Sequence, residues 1–371
     1  RFTSQPLNNA IVWQCRRTSD FCNSLKEAGT EGLIKRRSGL LLDPYFSASK
    51  FRWLLKNSPG VAAKMRRGRV IGGTIDSYLL WKLTGGQVHL TDVTNASRTS
   101  LMNISSLRWD KDLLDLFEIP RELLPRICAS TGEMGRTLGF PGLPDGIPIT
   151  GVAGDQQAAL FGQTCFSVGD VKCTFGTGSF ILMNTGEKKL NSKSNLLTTV
   201  AWQLEHEKKA TYAIEGGAFV CGAAVQWIRD GLKLIRKAAD IESLAAEVAD
   251  HDGVEFVPAL TGLGAPHWSP EARGTITGLT RGTQRGHIAR ATLDAIALQN
   301  MDVIEAMERD LGKRLKGLKV DGGASENNLL MQIQADVIGR QLIRPSVIES
   351  TVAGACYLAG QGVGLWKGKK A

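Results

Sequence analysis

The stretch Ile147-Pro-Ile-Thr-Gly-Val-Ala-Gly154, followed by Asp155-Gln156-Gln157, decides the fold class. Its apolar run has strand length and ends in glycine, and Gln156–Phe161 begins a helix. A strand that turns through glycine into a helix is a building block of α/β proteins. An acid just past such a strand sits at the carboxyl end of a sheet, the edge where α/β proteins bind ligands. The same acid also reads as a helix cap, accepting backbone N–H groups and favoured by the helix dipole. Both readings of Asp155 stay open at this level.

Two further glycine units follow. Val171–Asn184 (VKCTFGTGSFILMN) reads as two strands joined by Gly176-Thr177-Gly178. Glycine on both sides of a hydroxyl residue lets backbone N–H groups converge on one spot, a nest for phosphate oxygens; an ordinary hairpin is the alternative. Val320-Asp321-Gly322-Gly323-Ala324-Ser325-Glu326-Asn327 reads as a strand, a double glycine and a capped helix, where backbone can approach an anionic or planar ligand. Together the three units point to a nucleotide site. Its type is constrained by absence of motif: there is no Gly-x4-Gly-Lys-Ser/Thr loop, and no Gly-x-Gly-x-x-Gly opens a helix.

Outward from these units, strands alternate with helices. Ala10–Trp13 reads as a buried strand. Arg17–Ala28, Ser47–Asn57 (capped by Ser47 or Ser49) and Ile75–Thr84 read as helices. Later strands are expected at Leu197–Leu204, Ala210–Glu215, Val254–Ala259, Gly274–Leu279 and Leu318–Asp321. Later helices are expected at Gly217–Leu234, His287–Leu311, Glu326–Ile338 and Thr351–Ala359. The pattern changes near 160–170, which gives two domains, 1–163 and 164–371, as the length of 371 residues suggests.

Composition narrows the class. The chain is 43% hydrophobic and 22% charged, which excludes a disordered chain, a coiled coil or collagen. No run approaches the roughly 18 apolar residues of a membrane helix. The net charge of +9 rests on short runs, Lys35–Arg37, Lys64–Arg69 and Lys367–Lys370, with no interleaved aromatics. They read as solvated faces, not a nucleic-acid surface. Seven scattered cysteines without a Cys-x-x-Cys pair read as free thiols in a reducing, cytoplasmic compartment. Glycine is in excess, 42 of 371 residues, against roughly 7% in ordinary chains.

Longer motifs carry a resemblance. Tyr45-Phe-Ser-Ala-Ser-Lys50-Phe-Arg-Trp53-Leu-Leu-Lys-Asn57 is similar to the first signature of the FGGY family of carbohydrate kinases. Gly262-Leu-Gly264-Ala-Pro266, continuing through Arg273-Gly274 to Ala291-Thr292-Leu293, resembles the second. Asn9–Thr18, Thr91–Arg98 and Gly154–Phe161 resemble the glycerol-phosphorylating branch of that family. The resemblance spans essentially the whole chain. It implies two actin-like (ribonuclease-H-like) ATPase domains around a cleft, and transfer of the ATP γ-phosphoryl group, with Mg²⁺, to a glycerol hydroxyl. It implies Asp155 as general base, with Tyr45, Asp155 and Gln156 on the glycerol hydroxyls and Trp13 and Phe180 along its carbons. For ATP or ADP it implies Thr177 in a phosphate loop, Gly222 and Gln226 bordering the nucleotide, and Gly323 and Asn327 in the adenosine motif. A homo-oligomer, dimer or tetramer, is also implied.

Departures from the family pattern qualify this. The family's first phosphate loop, an acidic glycine- and threonine-rich hairpin, has no match in residues 1–8, nor does an Arg-Glu pair expected before Asn9. The tail beyond Trp366 is short. The N-terminal domain therefore reads as incomplete, and this chain as a fragment with impaired turnover. Another FGGY polyol or sugar kinase and a non-catalytic nucleotide-binding fragment are the alternatives. Gly142-Leu-Pro-Asp-Gly146 replaces the Gly-Gly-Thr-Arg loop with which some members bind fructose 1,6-bisphosphate, so no inhibition by that compound is expected.

Overall fold

A six-stranded mixed sheet organises the second half of the chain. The computed structural model describes residues 3–365; Trp366 and the basic run Lys367–Lys370 lie outside them. The strands are β1 (Val171–Phe175), β2 (Ser179–Gly186), β3 (Leu197–Trp202), β4 (Thr211–Ala218), β5 (Gly317–Asp321) and β6 (Gln341–Ile343). Their spatial order is β6-β5-β1-β2-β4-β3. β1, β5 and β6 run parallel, whereas β2, β4 and β3 add antiparallel, with β4 inserted between β2 and β3. β1 is buried along nearly its whole length, as a strand covered on both faces must be.

Helices cover the sheet and build the first lobe. The main ones are α1 (Ser47–Asn57), α2 (Asp155–Gly162), α3 (Gly222–Asp230), α4 (Arg285–Leu311), α5 (Asn328–Ile338) and α6 (Ser350–Gly362). α4 holds 27 residues, started by a reciprocal capping box between Gln284 and His287 and stopped by Gly312 at φ 74°. Its apolar period buries Leu293, Ile296, Val303, Ile304 and Met307 against Phe175, Ile181 and Met183 of the sheet. α1 has the expected bounds, but its N-cap is Phe46 without a side-chain bond, not Ser47 or Ser49.

The first lobe has a separate core of Cys22, Ile34, Leu42, Leu113, Phe117 and Leu123. Its strands are short pairs: Leu90–Asp92 beside Arg126–Cys128, and Thr131–Arg136 beside Pro148–Gly151. At the joint between the lobes, Phe161, Phe166 and Trp202 meet edge to face, with centroids 5.0 to 6.0 Å apart. The last helix, α6, returns to the first lobe and crosses α2 with backbone against backbone. A Cβ on Gly354 would lie 1.8 Å from the Ala158 carbonyl oxygen, and one on Gly162 2.0 Å from that of Ser350. Glycine is required at both because nothing larger lets the helices approach so closely.

Two further expectations fail. Ala10–Trp13 is not a buried strand: the segment is irregular, Val12 is 58% exposed, and the Cys15 amide closes a turn onto the Val12 carbonyl. No strand among the described residues pairs with it, so its apolar run has no ladder to join. The helix expected from Gly217 begins instead at Gly222, because Gly216–Ala218 continue β4 in register with Ile181–Ser179 of β2.

Candidate active site

The expected residues fall into two adjoining groups at the carboxyl ends of β1, β5 and the strand before α2. Asp155 is the first residue of α2, one past its N-cap, Gly154. The cap reading is thereby set aside. Its carboxylate is exposed and accepts from the Gln156 amide N–H at 2.8 Å and from Gln156 Nε2 at 3.3 Å.

Three rings stand near this acid. Trp13 meets Tyr45 edge to face at 5.5 Å and Phe180 at 6.1 Å. Trp13 is 37% exposed, so this misread segment delivers a ring to a shared wall in place of a strand to a sheet. The Tyr45 loop is held from below. Its amide N–H donates to Asp43 Oδ1 at 2.8 Å, and Lys50 Nζ donates to the carbonyls of Pro44 and of Tyr45, the latter at 3.1 Å. Burial lowers the Lys50 pKa to about 8 and pushes the Tyr45 phenol up to about 12, so Tyr45 is a neutral hydroxyl at physiological pH.

Beneath the rings lies a buried ion pair joining the lobes, Arg98 Nη2 to Glu215 Oε1 at 2.7 Å. Burial works against the Arg98 charge, but Glu215, Tyr45 and Asp155 outweigh it and raise its pKa. Lys172, on β1, reaches from the sheet to the same place. Its Nζ donates to Gln156 Oε1, to Thr174 Oγ1 at 2.8 Å and to the Phe180 carbonyl at 3.3 Å. An unbroken chain of contacts thus runs from the rings through the Phe180 backbone and Lys172 to Gln156 and Asp155.

The second group is built from backbone. Thr177 is exposed at the tip of the β1–β2 turn. The turn's carbonyls accept from the first amides of α3: Gly222 donates to Gly176 at 2.9 Å, and Cys221 and Ala223 donate to Thr177 at 2.9 and 3.0 Å. Gly222 lies so close that a Cβ there would be 2.7 Å from the Gly176 oxygen. Gln226, one turn along α3, is exposed. On the other side, the parallel register sets Asp321 beside Thr174 and brings Gly322 against Phe175. Gly322 has φ 85°, and a Cβ there would be 2.6 Å from the Phe175 oxygen; Gly323 faces open space. Asn327 caps α5, its Oδ1 accepting from the Leu330 amide at 2.8 Å.

Sequence reading missed Lys172, Arg98 and Glu215 as members of this site. A lysine inside the mostly apolar strand Val171–Phe175 was the available signal, since lysine is almost never fully buried unless paired. A cavity of about 340 Å³ lies elsewhere, between α4 and the loop around Gly264, and none of the residues above lines it.

The chain matches the FGGY family of carbohydrate kinases, N-terminal domain, over residues 2–162, and its C-terminal domain over residues 171–362. The chain belongs to the FGGY family. Among relatives, a protein named glycerol kinase from Bdellovibrio bacteriovorus is 61% identical over 368 residues, covering 99% of this chain and 74% of that protein. Among solved structures, Plasmodium falciparum glycerol kinase with ADP superposes with a TM-score of 0.91 at 38% identity, covering 100% of this chain and 73% of that one. A ligand-bound xylulose kinase from Lactobacillus acidophilus, with a TM-score of 0.85 at 24% identity over 98% of this chain and 73% of its own, shares the fold. The FGGY chain is therefore a two-domain α/β protein of the actin-like ATPase kind. No described helix is long and apolar enough to cross a membrane.

Proposed function

We propose that this FGGY chain acts as a glycerol kinase, transferring the γ-phosphoryl group of ATP to a glycerol hydroxyl to give glycerol 3-phosphate and ADP. The observation that carries the reading is the joined pair of groups: an exposed carboxylate beside an amide and three rings, abutting a glycine-built turn. A small triol has little apolar area, so hydrogen bonds must identify it. Tyr45, Asp155 and Gln156 supply them, and Trp13 and Phe180 wall in the carbons.

Asp155 accepts the hydroxyl proton as the oxygen attacks the γ-phosphorus in line; the bond to the β–γ bridging oxygen breaks and ADP leaves. General base help of this kind is worth roughly 10²–10⁴-fold. Positioning and charge stabilisation supply much of the remainder in phosphoryl transfer. Thr177 and the turn around it face the phosphates, Gly222 and Gln226 border the nucleotide, and Gly323 and Asn327 meet the adenosine. Mg²⁺ belongs to this reading as a counter-charge to the phosphates. Such ions need only one or two carboxylates beside the phosphate oxygens, and the exposed Asp155 fits that role. Among the described residues no cluster of three or more acidic, His or Cys side chains is built to hold a metal by itself.

We read domains 1–163 and 164–371, a division supported by the extents of the two family matches. All seven cysteines are unpaired, which suits a reducing cytoplasm. A homo-oligomer completes the reading. The test is glycerol-dependent ADP release from MgATP, with Asp155→Asn as control. Release that requires glycerol and vanishes in the variant supports the proposal. Release that ignores glycerol, or that survives the substitution, overturns it.

A further inference from the structure

We propose that Lys172 is a positioning residue for this reaction: it fixes the Gln156 side-chain amide so that the NH₂ group, not the carbonyl, faces Asp155 and the substrate. The inference rests on the glycerol-kinase reading and deepens it.

An ammonium group has three donors and no acceptor. All three have partners here: Gln156 Oε1, Thr174 Oγ1 and the Phe180 carbonyl. A glutamine beside an ammonium can offer it only its oxygen. The orientation of the Gln156 amide is therefore set by chemistry, and the opposite end, Nε2, points to Asp155 Oδ2 at 3.3 Å. The substrate then meets an amide donor next to a carboxylate acceptor. A hydroxyl can satisfy both at once, giving its proton to Asp155 while accepting from Gln156. The third bond reaches the wall of the pocket, because Phe180 carries one of the three rings. One cation thus ties the amide to the ring that lines the carbons.

The position is an expensive one for a charge. Lys172 is fully buried, and no carboxylate lies within ion-pair distance of its Nζ among the described residues. Isolated buried ions are strongly disfavoured. Burial lowers its pKa, while Asp321, Cys173, Asp155 and Glu215 pull the other way. Asp321 is the counter-charge nearest in effect: both its carboxylate oxygens are buried without a hydrogen-bond partner. A hydrophobic residue in β1 would serve the sheet better than this arrangement. What the lysine adds is the fixed amide.

The test is a double-mutant cycle on glycerol-dependent ADP release with Lys172→Met, Gln156→Ala and the double variant. Lys172→Met is expected to raise KM for glycerol roughly 10- to 100-fold, the range for one hydrogen bond to a charged group. Its effect on kcat and on KM for ATP is expected to be within about threefold. The double variant is expected to be no worse than the more impaired single one, since both remove the same oriented amide. An unchanged KM for glycerol, or losses that multiply, overturns the proposal. A second measurement needs neither a folded Lys172 variant nor turnover. In the native chain, the side-chain ¹⁵N–¹H₂ resonances of Gln156, assigned by their loss in Gln156→Ala, are expected to be shifted and protected from exchange. Resonances at free-amide positions with rapid exchange overturn the inference. Absence of turnover in the native chain counts against the glycerol-kinase reading instead, and leaves this second result to decide on Lys172.

Discussion

The two halves of the site are made by opposite means. On the side proposed for the polyol, side chains line the surface, and each is tied down by others: Tyr45 by Asp43 and Lys50, Gln156 by Lys172, Arg98 by Glu215. On the side proposed for the nucleotide, the surface is built from backbone, and glycines at 176, 178, 222, 322 and 323 shape it. The difference follows from the ligands. A triol presents only hydroxyls on a short carbon chain, so it must be read by side chains held in fixed orientations. Phosphates present many identical acceptors, and converging amide groups suit them without side-chain detail.

The largest expected effect tests the polyol side at its acid. Asp155→Asn should lower kcat by about 10²–10⁴-fold while leaving ADP affinity within a few-fold, measured by steady-state kinetics and calorimetry. Unaltered turnover would remove Asp155 from the chemistry.

The next effect separates the two neighbouring glycines of the nucleotide side. Gly322→Ala forces a Cβ into the Phe175 oxygen at positive φ and should destabilise the chain by about 3 kcal/mol. Gly323→Ala meets nothing within 4 Å and should leave stability unchanged while weakening ADP binding. Equal melting losses for the two would break the claim that one glycine shapes the turn and the other faces the ligand.

A smaller effect is expected at the rings. Trp13→Ala should raise KM for glycerol about tenfold with little change in KM for ATP. Parallel loss for both substrates would blur the separation of the two sides.

The buried lysine of the polyol side predicts a pH dependence. Burial lowers Lys50 to about 8, whereas the unfolded residue keeps its proton to about 10.5. Between those values the unfolded state binds more protons at this residue, so the Lys50 contribution to stability should rise with pH, by about 2 kcal/mol, against the opposite contribution of the buried cysteine thiols, whose pKa values burial raises. Denaturant unfolding of the native chain and of Lys50→Met at pH 7.5 and pH 10 measures this as the change in the stability difference between the two, which should shift in favour of the native chain at pH 10. The smallest effect is a null result. Asp145 Oδ1 accepts from the Gly139 amide at 2.7 Å and Gly146 accepts from Arg136 at 3.1 Å, so the 139–146 loop is closed on itself. Fructose 1,6-bisphosphate should leave the rate unchanged.

The same contrast governs how much was legible in the sequence. Backbone-built features show as glycines, and the turns at 176–178 and 322–323 stand where the sequence pattern puts them. The long helix α4 was legible to within two residues of its start, because apolar period and capping act locally. Trp13 was expected beside Tyr45 and Phe180 only through family resemblance, and its segment was misread as a strand. Four apolar residues in a row satisfy the local pattern, while pairing depends on a neighbour that the pattern does not contain. Lys172 and the Arg98–Glu215 pair were silent for a related reason. Their partners lie 16 and 117 positions away, and only folding brings them together.

The contact between α2 and α6 has a consequence for how this chain tolerates change. The helix that begins with Asp155 rests on a seam where bare backbone meets bare backbone, and a single methyl at Gly162 or Gly354 would occupy space already filled by a carbonyl. In a saturation scan scored for abundance, these two residues should therefore be among the emptiest columns, ahead of the acid proposed to do the chemistry. A survey of conserved polar groups would pass over them. For anyone redesigning the enzyme, the featureless seam behind the pocket is a region to leave untouched.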